Sequence, residues 1–317
     1  MKSIIMEGPS KSKVIEIEVP FPKEGELLVK VIYTGVCHSD YFPWTVAKKG
    51  ERLGHEPFGI VAEIGKNVEG FKVGDRVTGL GGGYSEYIIM NSKLTVHVPD
   101  NVCDEDSVVE PLSCLLSVAS KMPILVPGDP VVVVGAGYMG LGMVSLFKLK
   151  GAGRIIVVDP RLEARENALR FGATEVYAPN ELPANYTLTL DKFENIFTTG
   201  FPLVMEFAGT ESALRLAGDM ACAHGRLGIG GYHNDCDRTI DFKQWNVKAL
   251  TAISTHERRE DFQTQCCQNA MDLFSKDLWK FKGVANRIYT MEEFDNAHSD
   301  MNTKPKGFIK ALVRCSS

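Results

Sequence analysis

The chain has 317 residues, 44% of them hydrophobic and 24% charged, with a formal net charge of −5. That make-up suits a globular protein long enough for two domains, and a mildly acidic balance predicts no nucleic-acid partner. The cleanest apolar runs, such as residues 131–134, fall far short of bilayer length, so no membrane partner is predicted either. The opening MKSIIMEGPSK has only three apolar residues in a row before Glu7 and Lys11 and does not read as a signal peptide. The eight cysteines are irregularly spaced and do not read as a disulfide framework. A cytoplasmic location is therefore expected, where cysteines stay free or bind metal.

Residues 1–112 read as short strands broken by glycine turns. Strands are predicted over 27–33, 59–64, 87–90 and 94–98, with turns at Pro22, at Gly74-Asp75 and at Gly81-Gly82-Gly83. Such a pattern predicts a compact β domain, partly barrel-like. Residues 113–254 alternate strand and helix. Buried strands are predicted at 131–134, 155–158, 203–207 and 226–229, with helices after 140 and over 161–171. The alternation predicts an α/β, doubly wound domain. Residues 255–317 carry a predicted helix over 262–274 and a closing strand over 308–313, and are expected to return to the first domain.

Gly135-Ala136-Gly137-Tyr138-Met139-Gly140 directly follows a predicted strand and opens a helix, the context that gives this spacing meaning. Gly135 permits the tight turn, Gly137 admits a pyrophosphate and Gly140 lets helix and strand pack closely. The helix N-terminus turns free N–H groups toward the phosphates. Asp159 ends the next strand, where a carboxylate grips both ribose hydroxyls and repels a 2′-phosphate, so NAD is predicted over NADP. Arg161 nearby is the opposing feature, since an arginine there can tolerate a 2′-phosphate.

A second constellation is Cys37-His38-Ser39-Asp40 together with Gly54-His55-Glu56. Catalytic zinc takes three protein ligands and keeps one position open. Cys37 offers a thiolate and His55 an imidazole, with Asp40 to orient the ring. Glu56 stands behind the metal or enters its shell transiently. Glu110, held before Pro111, is the preferred third ligand, and Cys114, one helical turn on, is the rival.

Together these residues resemble the medium-chain zinc-dependent alcohol dehydrogenase family. Gly54-His55-Glu56 with Gly59, Gly65 and Val68 matches its zinc signature, and Gly35-Val36-Cys37-x-Ser39-Asp40 its first ligand segment. Glu110-Pro111-Leu112-Ser113 is similar to the sorbitol and polyol dehydrogenase branch. The resemblance implies a GroES-like catalytic domain, a Rossmann coenzyme domain, one catalytic Zn2+, NAD, and a homodimer or homotetramer. It also implies Ser39 as the proton relay and His38 and Lys310 near the pyrophosphate. The family's four-cysteine structural-zinc lobe is absent, since residues 79–87 form only a short glycine-rich turn, and Phe42 replaces a histidine of the outer relay.

The implied reaction is hydride transfer between NAD(H) and a small polar alcohol or ketone, a polyol, sugar or cyclitol. His233 and His256 sit in polar segments that suit such a substrate, beside Arg258 and Arg259, while Trp44 and Trp245 are expected to pack in the core, with stacking on a sugar face as the alternative role. Competing readings are a zinc-free quinone or enoyl reductase, a non-catalytic nucleotide sensor and a ketoreductase of specialised metabolism.

Overall fold

The computed structural model describes residues 1–123, 126–190 and 199–316. The chain divides into two compact units. One holds Met1–Cys114, Arg258–Leu278 and Lys282–Ser317, and the other Leu115–Glu257 with Trp279–Phe281.

The first unit opens with a hairpin of β1 (Lys2–Gly8) and β2 (Lys11–Glu16), which sequence pattern alone did not predict. Then come β3 (Glu26–Gly35), α1 (Tyr41–Val46), β4 (Pro57–Ile64), β5 (Arg76–Gly79), β6 (Tyr87–Asn91), β7 (Thr95–His97) and α2 (Glu110–Lys121), inside which the unit boundary falls. β3 pairs antiparallel with β4 along most of its length and with β6 through its first half. Inward residues of these strands, among them Leu27, Val29, Val31, Val61, Val77 and Met90, build the core of this unit. The burial follows from apolar side chains recurring on one face of each strand.

The second unit contains β8 (Pro130–Val134), α3 (Tyr138–Leu149), β9 (Arg154–Val158), α4 (Leu162–Phe171), β10 (Glu175–Tyr177), β11 (Phe201–Glu206), α5 (Glu211–Met220), β12 (Ala221–Ile229), α6 (Phe242–Val247) and β13 (Thr251–Ser254). Its sheet runs β10-β9-β8-β11-β12-β13, and every pair is parallel. This is the doubly wound Rossmann order, with its switch point between β8 and β11. The valine run of β8 is buried throughout because β9 and β11 flank it and α3 and α5 pack on it.

The chain returns to the first unit through α7 (Glu260–Ser275), β14 (Ala285–Thr290), α8 (Phe294–Thr303) and β15 (Lys310–Arg314). β15 pairs antiparallel with β3, setting Leu312 opposite Gly35. That register carries Lys310 past the end of β3 toward Val36 and Cys37. Among the described residues, no helix is long and apolar enough to cross a membrane.

Candidate metal and coenzyme sites

The metal-side cluster lies wholly in the first unit and follows from strand register. Thr34 on β3 faces Pro57 on β4, and the Gly35 N–H donates to the Glu56 carbonyl at 2.9 Å. Residues just beyond those positions therefore meet at one end of the sheet. Cys37 leaves β3 extended into a 3-10 turn over His38–Asp40, while His55 and Glu56 lead into β4. The Sγ of Cys37, a ring nitrogen of His55 and a carboxylate oxygen of Glu56 all lie within 4.8 Å of one another.

Each member has a partner that orients it. The Ser39 hydroxyl donates to Cys37 Sγ at 3.2 Å. His55 Nδ1 stands 3.4 Å from Asp40 Oδ1, leaving Nε2 for a metal. Burial acts to lower the pKa of His55, but bonding to Asp40 and Cys37 outweighs it and the value is pushed up to about 12. Glu56 is fully buried; its Oε2 accepts from Lys310 Nζ at 2.5 Å, and its Oε1 has no partner among the described residues. A thiolate, an imidazole and an orphaned carboxylate oxygen converging in a half-buried corner fit a divalent zinc ion.

One consequence concerns protons. Metal displaces the His55 proton, so zinc loading at neutral pH is expected to release at least one. Calorimetric titration in buffers of different ionisation enthalpy measures that number. Zinc uptake without proton release would mean that the metal-free imidazole is already neutral.

Glu110 falls outside the tight cluster. Its Oε1 accepts from the Cys114 thiol at 3.3 Å. Burial first, then the Glu56 charge, raises the pKa of Glu110, while burial and Glu110 hold the Cys114 thiol well above its ordinary value. Cys114 therefore stands as a protonated donor to Glu110.

The coenzyme loop lies in the second unit. Gly135 has φ of +97°, a conformation that L side chains rarely adopt, and a Cβ there would meet the Ala208 backbone. A Cβ on Gly140 would sit 1.9 Å from the Gly135 carbonyl oxygen, whereas one on Gly137 would meet nothing within 4 Å. The open side of the loop is thus at Gly137, followed by half-buried Tyr138 and Met139 at the start of α3. Asp159 is nearly buried; Oδ2 accepts from the Ala136 N–H at 2.8 Å, and Arg161 grips both oxygens at 3.0 and 2.9 Å. Burial works to raise the pKa of Asp159, but the Arg161 guanidinium and the two backbone N–H groups outweigh it and hold the carboxyl low. The Gly140→Ala substitution forces the loop apart, at an overpacking cost of about 1–3 kcal/mol. Dinucleotide affinity is expected to fall about tenfold or more, read by fluorescence titration. Unchanged affinity would show that the loop does not hold the coenzyme.

Several expectations are corrected. Trp44 is not a sugar platform: it is 7% exposed within the core, and its indole N–H is spent on Asp295 Oδ1 at 2.8 Å. Trp245 packs in the core, the role expected of it. His233 has no ring nitrogen left for a substrate, since Nε2 meets Glu206 Oε2 at 3.0 Å and Nδ1 accepts from Arg238 at 3.0 Å. Lys310 is not a phosphate contact: its buried amine serves Glu56 and the Val36 carbonyl. His256 is half-buried beside Tyr232, ring centroids 5.1 Å apart, while Arg258 and Arg259 are exposed. His38 is exposed, stacked on Tyr41 at 5.5 Å. The Lys310–Glu56 pair left no signal in the sequence, because the two residues lie 254 positions apart.

Comparison with known proteins agrees with this arrangement. Residues 23–100 match the model of the alcohol dehydrogenase GroES-like domain, and residues 139–276 that of the zinc-binding dehydrogenase. The chain belongs to the medium-chain zinc-dependent alcohol dehydrogenase family. It is therefore an oxidoreductase with a GroES-like unit and a Rossmann unit. It is 29% identical to a sorbitol dehydrogenase of Bacillus subtilis, covering 73% of this chain and 75% of that one. It is 28% identical to a D-xylulose reductase of Saccharomyces cerevisiae, covering 98% and 97%. A crystal structure of an alcohol dehydrogenase from E. coli CFT073, complexed with cofactor NADH, superposes with a TM-score of 0.84 at 26% identity, covering 99% of each chain.

Proposed function

We propose that this protein is a zinc- and NAD-dependent dehydrogenase that interconverts a secondary alcohol and a ketone on a polyol, sugar or cyclitol. The Cys37–His55–Glu56 convergence, with Asp40 behind the imidazole, carries the reading. When bound, zinc supplies Lewis acidity that lowers the pKa of a substrate hydroxyl, and NAD supplies the hydride acceptor.

The chain's own residues do the rest. Cys37 and His55 are two ligands. Glu110 is proposed as the third, because the charge of Glu56 is already balanced by Lys310 whereas Glu110 is paired only with a thiol among the contacts above. A cation opposes the burial and like-charge effects that raise the pKa of Glu110, and so favours its ionised form. Glu56 stands behind the metal. Ser39, its hydroxyl on Cys37 Sγ, is placed to take the substrate proton. Asp159 selects NAD by holding the ribose hydroxyls, with Arg161 moving aside. Similarity to the sorbitol dehydrogenase and the D-xylulose reductase supports the polyhydroxy substrate class.

The test pairs zinc content with an NAD-reduction screen of polyols, sugars, cyclitols and simple alcohols. About one zinc per chain and turnover on a polyhydroxy substrate are expected from the three-ligand site. No zinc, with activity only on enones or quinones, would overturn the proposal. Glu110→Ala is expected to lose zinc, and full zinc with full activity in that variant would return the third position to Glu56.

A further inference from the structure

Two buried acceptors, one on the metal-side turn and one on the helix packed against it, have no partner among the described residues. Asp40 Oδ1 faces His55, but Asp40 Oδ2 has no partner among the described residues. His298, fully buried on α8, likewise has no partner for Nε2. Its other nitrogen fixes the tautomer. Nδ1 is 3.2 Å from the Phe294 carbonyl, which only accepts, so Nδ1 carries the proton and Nε2 of the neutral ring is a bare acceptor. Burial keeps the ring neutral by pushing its pKa down.

Two donors whose rings flank His298 are already spent. The Trp44 N–H serves Asp295 Oδ1 at 2.8 Å, and the Tyr84 hydroxyl serves the Gly35 carbonyl at 2.9 Å. Both rings flank His298, at centroid distances of 5.6 and 6.2 Å. Helix α8 packs against the turn that carries Asp40, and the Asp40 charge acts on the His298 ring. Where two buried acceptors approach one another, a group with two protons satisfies both. Water is the small molecule that offers two donors, and buried waters are held where otherwise unsatisfied polar groups converge.

We propose that one buried water donates to Asp40 Oδ2 and to His298 Nε2, and that His298 thereby acts as a positioning residue for His55. With both oxygens held, the Asp40 carboxylate cannot rotate. It then fixes the His55 proton on Nδ1 and keeps Nε2 turned to the metal. This second part rests on the reading of His55 as a zinc ligand; the water itself does not.

The experiment has two arms. A high-resolution crystal structure of the wild-type protein is expected to show one ordered water within hydrogen-bond distance of both atoms, with or without zinc. A dry corner overturns the proposal. Zinc release to a chromogenic chelator is then compared among wild type, His298→Leu and His298→Gln, with melting temperature as the folding control. Leucine removes the acceptor, whereas the glutamine amide oxygen restores one. The expected result is about three- to tenfold faster release from His298→Leu, less than for a residue bonded directly to a ligand, with most of the loss recovered in His298→Gln. Equal release from both variants, or wild-type release from His298→Leu, overturns the positioning role. A wild-type protein that binds no zinc would defeat the metal reading, and the crystal structure would still decide the water.

Discussion

Cys37→Ala is expected to lower kcat/KM by about a thousandfold or more, equivalent to about 4 kcal/mol of transition-state stabilisation. Most of the zinc is expected to go with it. The thiolate is the softest donor in the cluster, and its removal leaves an imidazole and carboxylates, a set better suited to harder cations. The Ser39 hydroxyl also loses the sulfur that fixes it. Cys37 is only partly buried and lies in the turn after β3 rather than in the core, so the melting temperature of the metal-free protein is expected to change little. Ser39→Ala provides the contrast. It keeps all the ligands, so zinc content stays near wild type while turnover falls about 10²- to 10⁴-fold, the range for a lost proton-transfer group. Metal analysis by emission spectroscopy beside steady-state kinetics separates the two. A Cys37→Ala enzyme with wild-type zinc would remove Cys37 from the ligand set.

Local chemistry was legible in the sequence and distant pairing was not. The coenzyme loop announces itself because Gly135, Gly137 and Gly140 each meet a separate local demand within six residues, and Asp159 closes the next strand. The valine run of β8 and its flanking helices fix the parallel order for similar reasons. Cys37 and His55 are 18 positions apart, yet β3 and β4 form an antiparallel pair whose register brings them together. The partners of these residues are another matter. Lys310 and His298 enter from the returning segment, and nothing in the spacing of a lysine before a closing strand or a histidine in a helix marks its target. Trp44 shows how space decides between a core role and a surface role. A tryptophan next to a ligand segment invites a substrate role, but its N–H found Asp295 on α8, and a satisfied indole in a packed core has nothing to offer a sugar. His233 was misread, because a polar loop in sequence became an occupied Glu206–His233–Arg238 chain in space.

The second large effect is expected from the buried ion pair. Lys310→Met removes the ammonium that serves Glu56 and leaves a fully buried carboxylate without its counter-charge. Breaking such a pair from one side costs about 3–5 kcal/mol, because the remaining charge is neither solvated nor balanced. The raised pKa of Lys310 gives the sign with pH. Burial alone would lower it, but the Glu56 charge outweighs that and holds the amine above its ordinary value. A raised folded-state pKa means the contribution is fully present below the ordinary lysine value and is lost only as pH climbs through the folded one. The destabilisation is therefore expected to be constant across the neutral range. Bound zinc restores a positive charge near Glu56, so the zinc-loaded variant should lose less stability than the metal-free one. Replacing both partners, as Glu56→Gln with Lys310→Met, leaves no buried charge and is expected to recover most of the loss. Denaturant melts of wild type, Lys310→Met, Glu56→Gln and the double variant, with and without zinc, measure both the coupling and its dependence on metal. If Lys310→Met melts like wild type without zinc, the Lys310–Glu56 pair contributes no net stability and other contacts hold the Glu56 side chain in place.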